Sequence, residues 1–369
     1  MTIAQSSANT SSGWRFKLLG FDVSVPWNAL IGVAIIGVLW YPEFAESTSA
    51  LGQWALAAIF ALLLMASILF HEFAHGLVAR AFGYPVTGIT LWAMGGFTTY
   101  SPTKKHGPAR EALIAVAGPV ATLAIALVAF IAARSAPPGT VHSVLAALAW
   151  ANALVGFFNL LPGSPLDGGA LVKSLVWGIT KSEQKGQVAA GWVGRGLAVS
   201  LVLSPFLLAW SYGGQPSLIL IVVAVMLGWL LWTGASASLR AAKSGASLRS
   251  LPALGLAKPL RFVTESATVA QVMPLLVNDQ HVAVTDSLGE PIGVVTHSAA
   301  AAVPAEQRER VLALVVCARV GAAPTIAADS SAFDVLRTAQ ETSSRFVFLT
   351  APGGRVLIDT DEVFVMDGP

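Results

Sequence analysis

Six stretches of this chain are apolar over about the twenty residues that an α-helix needs to cross a hydrocarbon core. They lie at roughly 26–42, 51–75, 110–133, 143–161, 187–210 and 215–236. Such runs exclude an ordinary water-soluble fold. Hydrophobic residues make up 55% of the 369 and charged residues 11%, where a soluble domain carries about 25% charged. The fourth run is short and stops at Pro162, so it ends within the membrane at a protein-lined cavity. The expected fold is an α-helical polytopic membrane protein, followed after Arg240 by a more polar α+β tail.

Cationic residues orient these spans. Arg15 and Lys17 precede the first. Arg80, Lys104, Lys105 and Arg110 separate the second from the third, and Lys173, Lys181 and Lys185 the fourth from the fifth. Arg240, Lys243, Arg249 and Lys258 follow the sixth, while the opposite loops hold only Arg134, with Glu43 and Glu46 on the first of them. Both termini are therefore expected in the cytoplasm. The polar start, residues 1–14, reads as disordered, and no cleavable signal peptide is recognised in it. A net charge of +2 with no basic patch among aromatics gives no reason to expect a nucleic-acid partner. The single cysteine, Cys317, rules out an intrachain disulfide.

The second apolar run ends in Leu-Phe-His-Glu-Phe-Ala-His-Gly-Leu, residues 69–77. Positions i and i+4 share a helix face, so His71 and His75 offer two imidazoles to one ion, and Glu72 can reach water bound there. This is the H-E-x-x-H arrangement of zinc hydrolases. A third protein ligand is required. The best candidate is Asp167 in NLLPGSPLDGG, 159–169, where Pro162 and Pro165 break the fourth helix. The alternative there is an ordinary Asp-Gly turn. His106, beside Lys104 and Lys105, reads as solvated loop. Arg195, within span five, reads as snorkelling to the interface rather than pairing with Glu111. Trp40, Trp54, Trp177 and Trp192 read as interfacial anchors.

Two further segments are strand-like: 15–25 and 86–100, the second interrupted by Gly88, Gly95 and Gly96. They are expected to form a small membrane-associated hairpin or sheet. In the tail, TVAQVMPLLVN (268–278) precedes VAVTDSLGEPIGVVT (282–296), and SAFDVLRTAQE (331–341) precedes FVFLTAPGGRVLIDT (346–360). A helix–strand–turn–strand unit thus occurs twice, about 65 residues apart, which suggests a duplication.

HEFAH after an apolar helix, then TLWAMGGF, AVAGPVATL (115–123) and NLLPGSPLDGG together resemble the site-2 proteases, zinc metalloproteases that cut transmembrane helices within the membrane. The resemblance covers about 15–236. It implies one Zn2+ per chain on His71, His75 and Asp167, and Glu72 as catalytic base. It also implies that Asn159 steadies the substrate carbonyl or its oxyanion. Gly95 and Gly96 would lie on the hairpin that receives the unwound substrate as an added strand; an ordinary Gly-Gly turn is the alternative. Ala170 stands where the family often has Arg after Asp-Gly-Gly, which removes a local ion pair.

The tail, 258–369, resembles a pair of cystathionine β-synthase (CBS) domains, joined through a linker at 237–257. Such pairs often bind adenine nucleotides. Here Thr296 is followed by Ala299 at the expected Asp position, and Asp361 is preceded by Ile358 at the expected Thr position. Nucleotide binding and a packing or homodimerisation module both stay open. The function expected is regulated intramembrane proteolysis at the plasma membrane, with a transmembrane protein as substrate and the bilayer as surroundings. A non-catalytic metal-binding or transport protein with a CBS tail is the alternative.

Overall fold

The structure, a computed structural model, describes residues 13–44, 49–93, 95–101, 106–276, 280–321, 323–342, 344–351 and 354–360. Residues 1–12, Glu46, Lys104, Lys105, Val277, Asn278 and Asp361, on which expectations above fall, lie outside them. The chain forms two compact units that divide at Lys243.

The first unit begins with strands β1 (Gly13–Leu18) and β2 (Phe21–Pro26), followed by α1 (Ala29–Trp40) and α2 (Ala50–Ala81). Strands β3 (Val86–Trp92) and β4 (Gly95–Tyr100) come next. The helices α3 (Pro108–Ser135), α4 (Thr140–Asn159), α5 (Asp167–Thr180) and α6 (Glu183–Ser211) and the part of α7 (Leu218–Ser250) up to Lys243 complete it. Five of these, α2, α3, α4, α6 and α7, are long and apolar enough to cross a bilayer. The first expected span is shorter. Its helix has 12 residues, about 18 Å at 1.5 Å per residue. Pro26 belongs to β2, and a 3-10 turn at Tyr41–Phe44 takes over at the other end.

Two helical stretches were not expected. α5 has only 14 residues, too few to register as a span, and starts directly behind the Pro-Gly-Ser-Pro break. α7 continues past the apolar run to Ser250, so much of the segment read as linker is helix. Its residues 237–250 are mostly Ala, Ser, Leu and Arg, which sustain a helix without a continuous apolar face.

The two strand-like segments join in one four-stranded sheet, in the order β1-β2-β3-β4. β2 and β3 run parallel, with Val23 opposite Ile89, and β3 and β4 antiparallel, with Ile89 opposite Thr98. Phe21, Val23 and Ile89 point inward and bury against Phe73 of α2. Arg80, in the last turn of α2, braces the β1–β2 turn. It donates to Leu19 O and Gly20 O at 3.2 and 2.9 Å and lies 3.6 Å from the Phe21 ring centroid. β4 ends the sheet, and no other described strand pairs with its outer edge.

The second unit repeats one motif. Parallel β5 (Leu260–Thr264) and β6 (His281–Thr285) flank α8 (Val269–Val272), and β7 (Pro291–Val295) pairs antiparallel with β6. The short helices α9 (His297–Ala301) and α10 (Ala313–Val316) and strand β8 (Ala318–Arg319) follow. Then β9 (Thr325–Ala327), α11 (Ala332–Thr342), β10 (Phe346–Ala351) and β11 (Gly354–Asp359) reproduce the pattern, β9 and β10 parallel, β10 and β11 antiparallel. The duplication read from the alternating strands is present in the fold. Ile358 is wholly buried with Val347 and Leu349, as a core residue.

Candidate metal centre

α2 carries His71, Glu72 and His75 on its buried side, all under 8% exposed. The break after α4 turns the chain so that Asp167 opens α5 facing them. Gly168 and Gly169 permit that turn. A Cβ on either would collide with the backbone of the loop just before it. Asp167 Oδ2 lies 3.1 Å from His71 Nε2, and Oδ1 lies 3.4 Å from His75 Nε2. The two Nε2 atoms are themselves 3.1 Å apart.

The outer ring nitrogens are both engaged as donors. His75 Nδ1 lies 2.7 Å from the carbonyl of Ile114, so it must donate. The Thr122 hydroxyl gives its one proton to Gly118 O at 3.1 Å, so it accepts from His71 Nδ1 at 2.8 Å. An imidazole that is neutral and donates from Nδ1 presents a lone pair at Nε2. In that form two lone pairs and a carboxylate converge, a donor set that a cation among them would satisfy. Tetrahedral zinc, with bonds of about 2.0–2.1 Å, places its ligands roughly 3.4 Å apart, close to what is found. α3 leaves the space: a Cβ on Gly118 would collide with Nε2 of both histidines. The donor set fits zinc.

Glu72 faces the sheet. The Thr98 hydroxyl of β4 lies 2.7 Å from Glu72 Oε2 and 2.9 Å from the Glu72 carbonyl, and shares its one proton between them. Gly96, two residues earlier on the same face, lets β4 approach, since a Cβ there would stand 2.6 Å from Glu72 Cγ. Gly95 has φ +146° and begins the strand. The structure thus brings His71, His75 and Asp167 together, with Glu72 adjoining and Gly96 against it. Asn159 is not tied to the group in this way. Its amide donates to Val155 O at 3.0 Å within its own helix. Gly118, Thr122, Thr98 and the Ile114 carbonyl escaped the sequence reading. AVAGPVATL contains two of them, but nothing in it announces a contact with α2.

Three expectations are corrected. His106 is not solvated loop: its side chain is 15% exposed, 3.7 Å from Glu111, 3.8 Å from Glu183 and 3.2 Å from the Tyr84 hydroxyl. Lys173, counted as a loop cation, is 6% exposed and lies 3.1 Å from Glu111 and 3.0 Å from Glu183. Trp177 packs on His106 at 4.9 Å between ring centroids, as part of this cluster rather than as an anchor. Arg195 does avoid Glu111. It donates to Ser236 Oγ at 3.1 Å and sits between the rings of Trp192 and Trp232.

Comparison with known proteins follows the same geometry. Residues 59–138 and 133–203 match Peptidase family M50. The resemblance read from the motifs is borne out. The M50 match takes in both the His-Glu-x-x-His motif and Asp167, and leaves out β1, β2, α1, the end of α6, α7 and the whole second unit. A Mycobacterium tuberculosis protein named as a zinc metalloprotease, Rip3, is 34% identical over 235 residues, covering 59% of this chain and 56% of its own. The chain thus spans somewhat over half the length of this curated relative. Among solved structures, a site-2 protease from Methanocaldococcus jannaschii is similar at 22% identity and a TM-score of 0.44, over 62% of this chain and 95% of that one. A CBS domain of a bacterial CNNM/CorC family Mg2+ transporter is similar at 14% identity and a TM-score of 0.26, over 33% and 78%.

Proposed function

We propose that this chain is an intramembrane zinc metalloprotease that hydrolyses a peptide bond in the transmembrane segment of another membrane protein. The observation that carries the reading is the convergence of His71 Nε2, His75 Nε2 and the Asp167 carboxylate on one point, with Glu72 alongside. These three residues would hold the zinc. When bound, it polarises the scissile carbonyl and acidifies the attacking water.

The chain's own groups do the rest. Glu72 takes the proton of the attacking water on a carboxylate oxygen and passes it to the amide nitrogen that leaves. A helical peptide bond is shielded by its own hydrogen bonds, so the substrate must first be unwound. The outer edge of β4 offers free N–H and C=O groups to the extended segment, as an added strand. Gly95 lets that segment lie close, while Gly96 keeps Glu72 in reach of it. Asn159, swung from Val155, would donate to the substrate carbonyl oxygen. The centre faces the cytoplasmic side of the plasma membrane, with both termini in the cytoplasm, as Arg80 and the loop cations indicate. The second unit, as a CBS pair, controls access to the membrane site and dimerises or binds an adenine nucleotide.

Glu72→Gln tests the assignment. Purified in detergent, the variant should keep its zinc and lose cleavage of a single-span reporter. Retained cleavage would refute the base. An ion transporter, by contrast, has no use for a carboxylate in that position and would show zinc without cleavage in the wild type.

A further inference from the structure

We infer that Thr98 is the positioning residue of Glu72, so that the strand which receives the substrate also aims the base. This rests on the protease reading above. β4 alternates its side chains across the sheet. Gly96 and Thr98 face α2, whereas Phe97, 51% exposed, points to the other side. The Thr98 hydroxyl has one proton and two acceptors within 3 Å, and both belong to Glu72: its carboxylate at 2.7 Å and its own main-chain carbonyl at 2.9 Å. The contact therefore holds the side chain relative to its own backbone and fixes both to β4. Among the described residues no other side chain donates to this carboxylate.

The sheet makes the link mechanical. Thr98 is opposite Ile89, which is fully buried under α2, so the inner face of β4 cannot slide without disturbing the core. Its outer edge has no strand partner among the described residues. A segment that pairs with that edge would lie on the strand whose Thr98 hydroxyl already sits on Glu72. The base is thus aimed before a substrate strand is in place. Gly96 sets the clearance for this, and Thr98 sets the direction.

The test uses the full chain in detergent, zinc per chain, and kcat and KM on a single-span reporter whose apolar helix is broken by an Asn-Pro pair. Thr98→Val keeps the shape and removes the proton. Loss of a hydrogen bond to a charged group corresponds to roughly a tenfold to hundredfold effect. The expected result is a fall of that size in kcat, with KM and zinc as in the wild type. Thr98→Ser should restore most of the rate. Undiminished kcat in Thr98→Val overturns the inference, and so does a fall that comes with lost zinc or that Ser does not restore. Wild type that holds zinc and leaves the reporter whole instead overturns the protease reading, and the inference with it.

Discussion

Two polar clusters lie buried in the same membrane unit, and they are built on opposite principles. In one, the Lys173 ammonium stands 3.1 Å from Glu111 and 3.0 Å from Glu183, with His106 closing the group. Its positive centre is supplied by the chain. In the other, His71, His75 and Asp167 meet with acceptor atoms inward and their outer atoms already committed to Ile114 and Thr122. A cation from outside would complete it. A buried charge cluster that neutralises itself is architecture. One whose ligand-type atoms converge on a point that Gly118 keeps clear is a candidate binding site. Burial and charge alone do not separate the two; the direction of the lone pairs does.

The sharpest way to break the comparison is to truncate the architectural cation. Lys173→Met removes the buried cation from two partly buried carboxylates, and breaking a fully buried pair from one side costs about 3–5 kcal/mol, an upper bound here. A large fall in thermal midpoint is expected in detergent, with zinc still bound in the fraction that folds. Replacing Lys173, Glu111 and Glu183 together by apolar residues of similar size should recover most of that loss, because well-packed hydrophobic groups substitute for a closed ion cluster. No apolar replacement of His71, His75 and Asp167 can preserve zinc.

Gly118→Ala is the next largest effect. Its methyl enters the space among the ligand atoms, so zinc binding should be lost, with a stability cost of about 1–3 kcal/mol as the histidine rings shift; zinc titration followed by dialysis, beside a thermal midpoint, checks this. Thr122→Val acts more gently. It leaves His71 Nδ1 without its acceptor, and loss of such an outer partner weakens metal binding about 10–100-fold. A chelator competition should read that shift, with Thr122→Ser close to wild type. The smallest effect is expected at Arg195, outside both clusters. Arg195→Lys removes a planar stacking group between Trp192 and Trp232, worth roughly 0.5–1 kcal/mol where solvent reaches it, and should leave zinc and kcat unchanged.

How much of this was legible in the sequence follows the same division. His71 and His75 declare themselves through i, i+4 spacing at the end of an apolar helix, and Asp167 through the helix break before it. The tail's duplication shows because strands alternate with a period of two. What was hidden is contact between helices that local pattern does not encode. His106 sits beside Lys104 and Lys105, which made it look solvated, yet the fold tucks it under Trp177. Lys173 looked like a loop cation because α5 is too short to stand out as a span. The partners of the histidines were invisible for another reason. One is a main-chain carbonyl, which every residue has, and the other is a threonine 51 positions away.

The central claim is that His71, His75 and Asp167 form one metal centre across two distant segments. Zinc per chain, measured on detergent-purified wild type and on Asp167→Ala, tests it most directly. About one zinc in the wild type and a sharp reduction in the variant, with both proteins folded, is the predicted result. Wild-type occupancy in folded Asp167→Ala would contradict the claim, and folded wild type that takes up no zinc would contradict the site altogether.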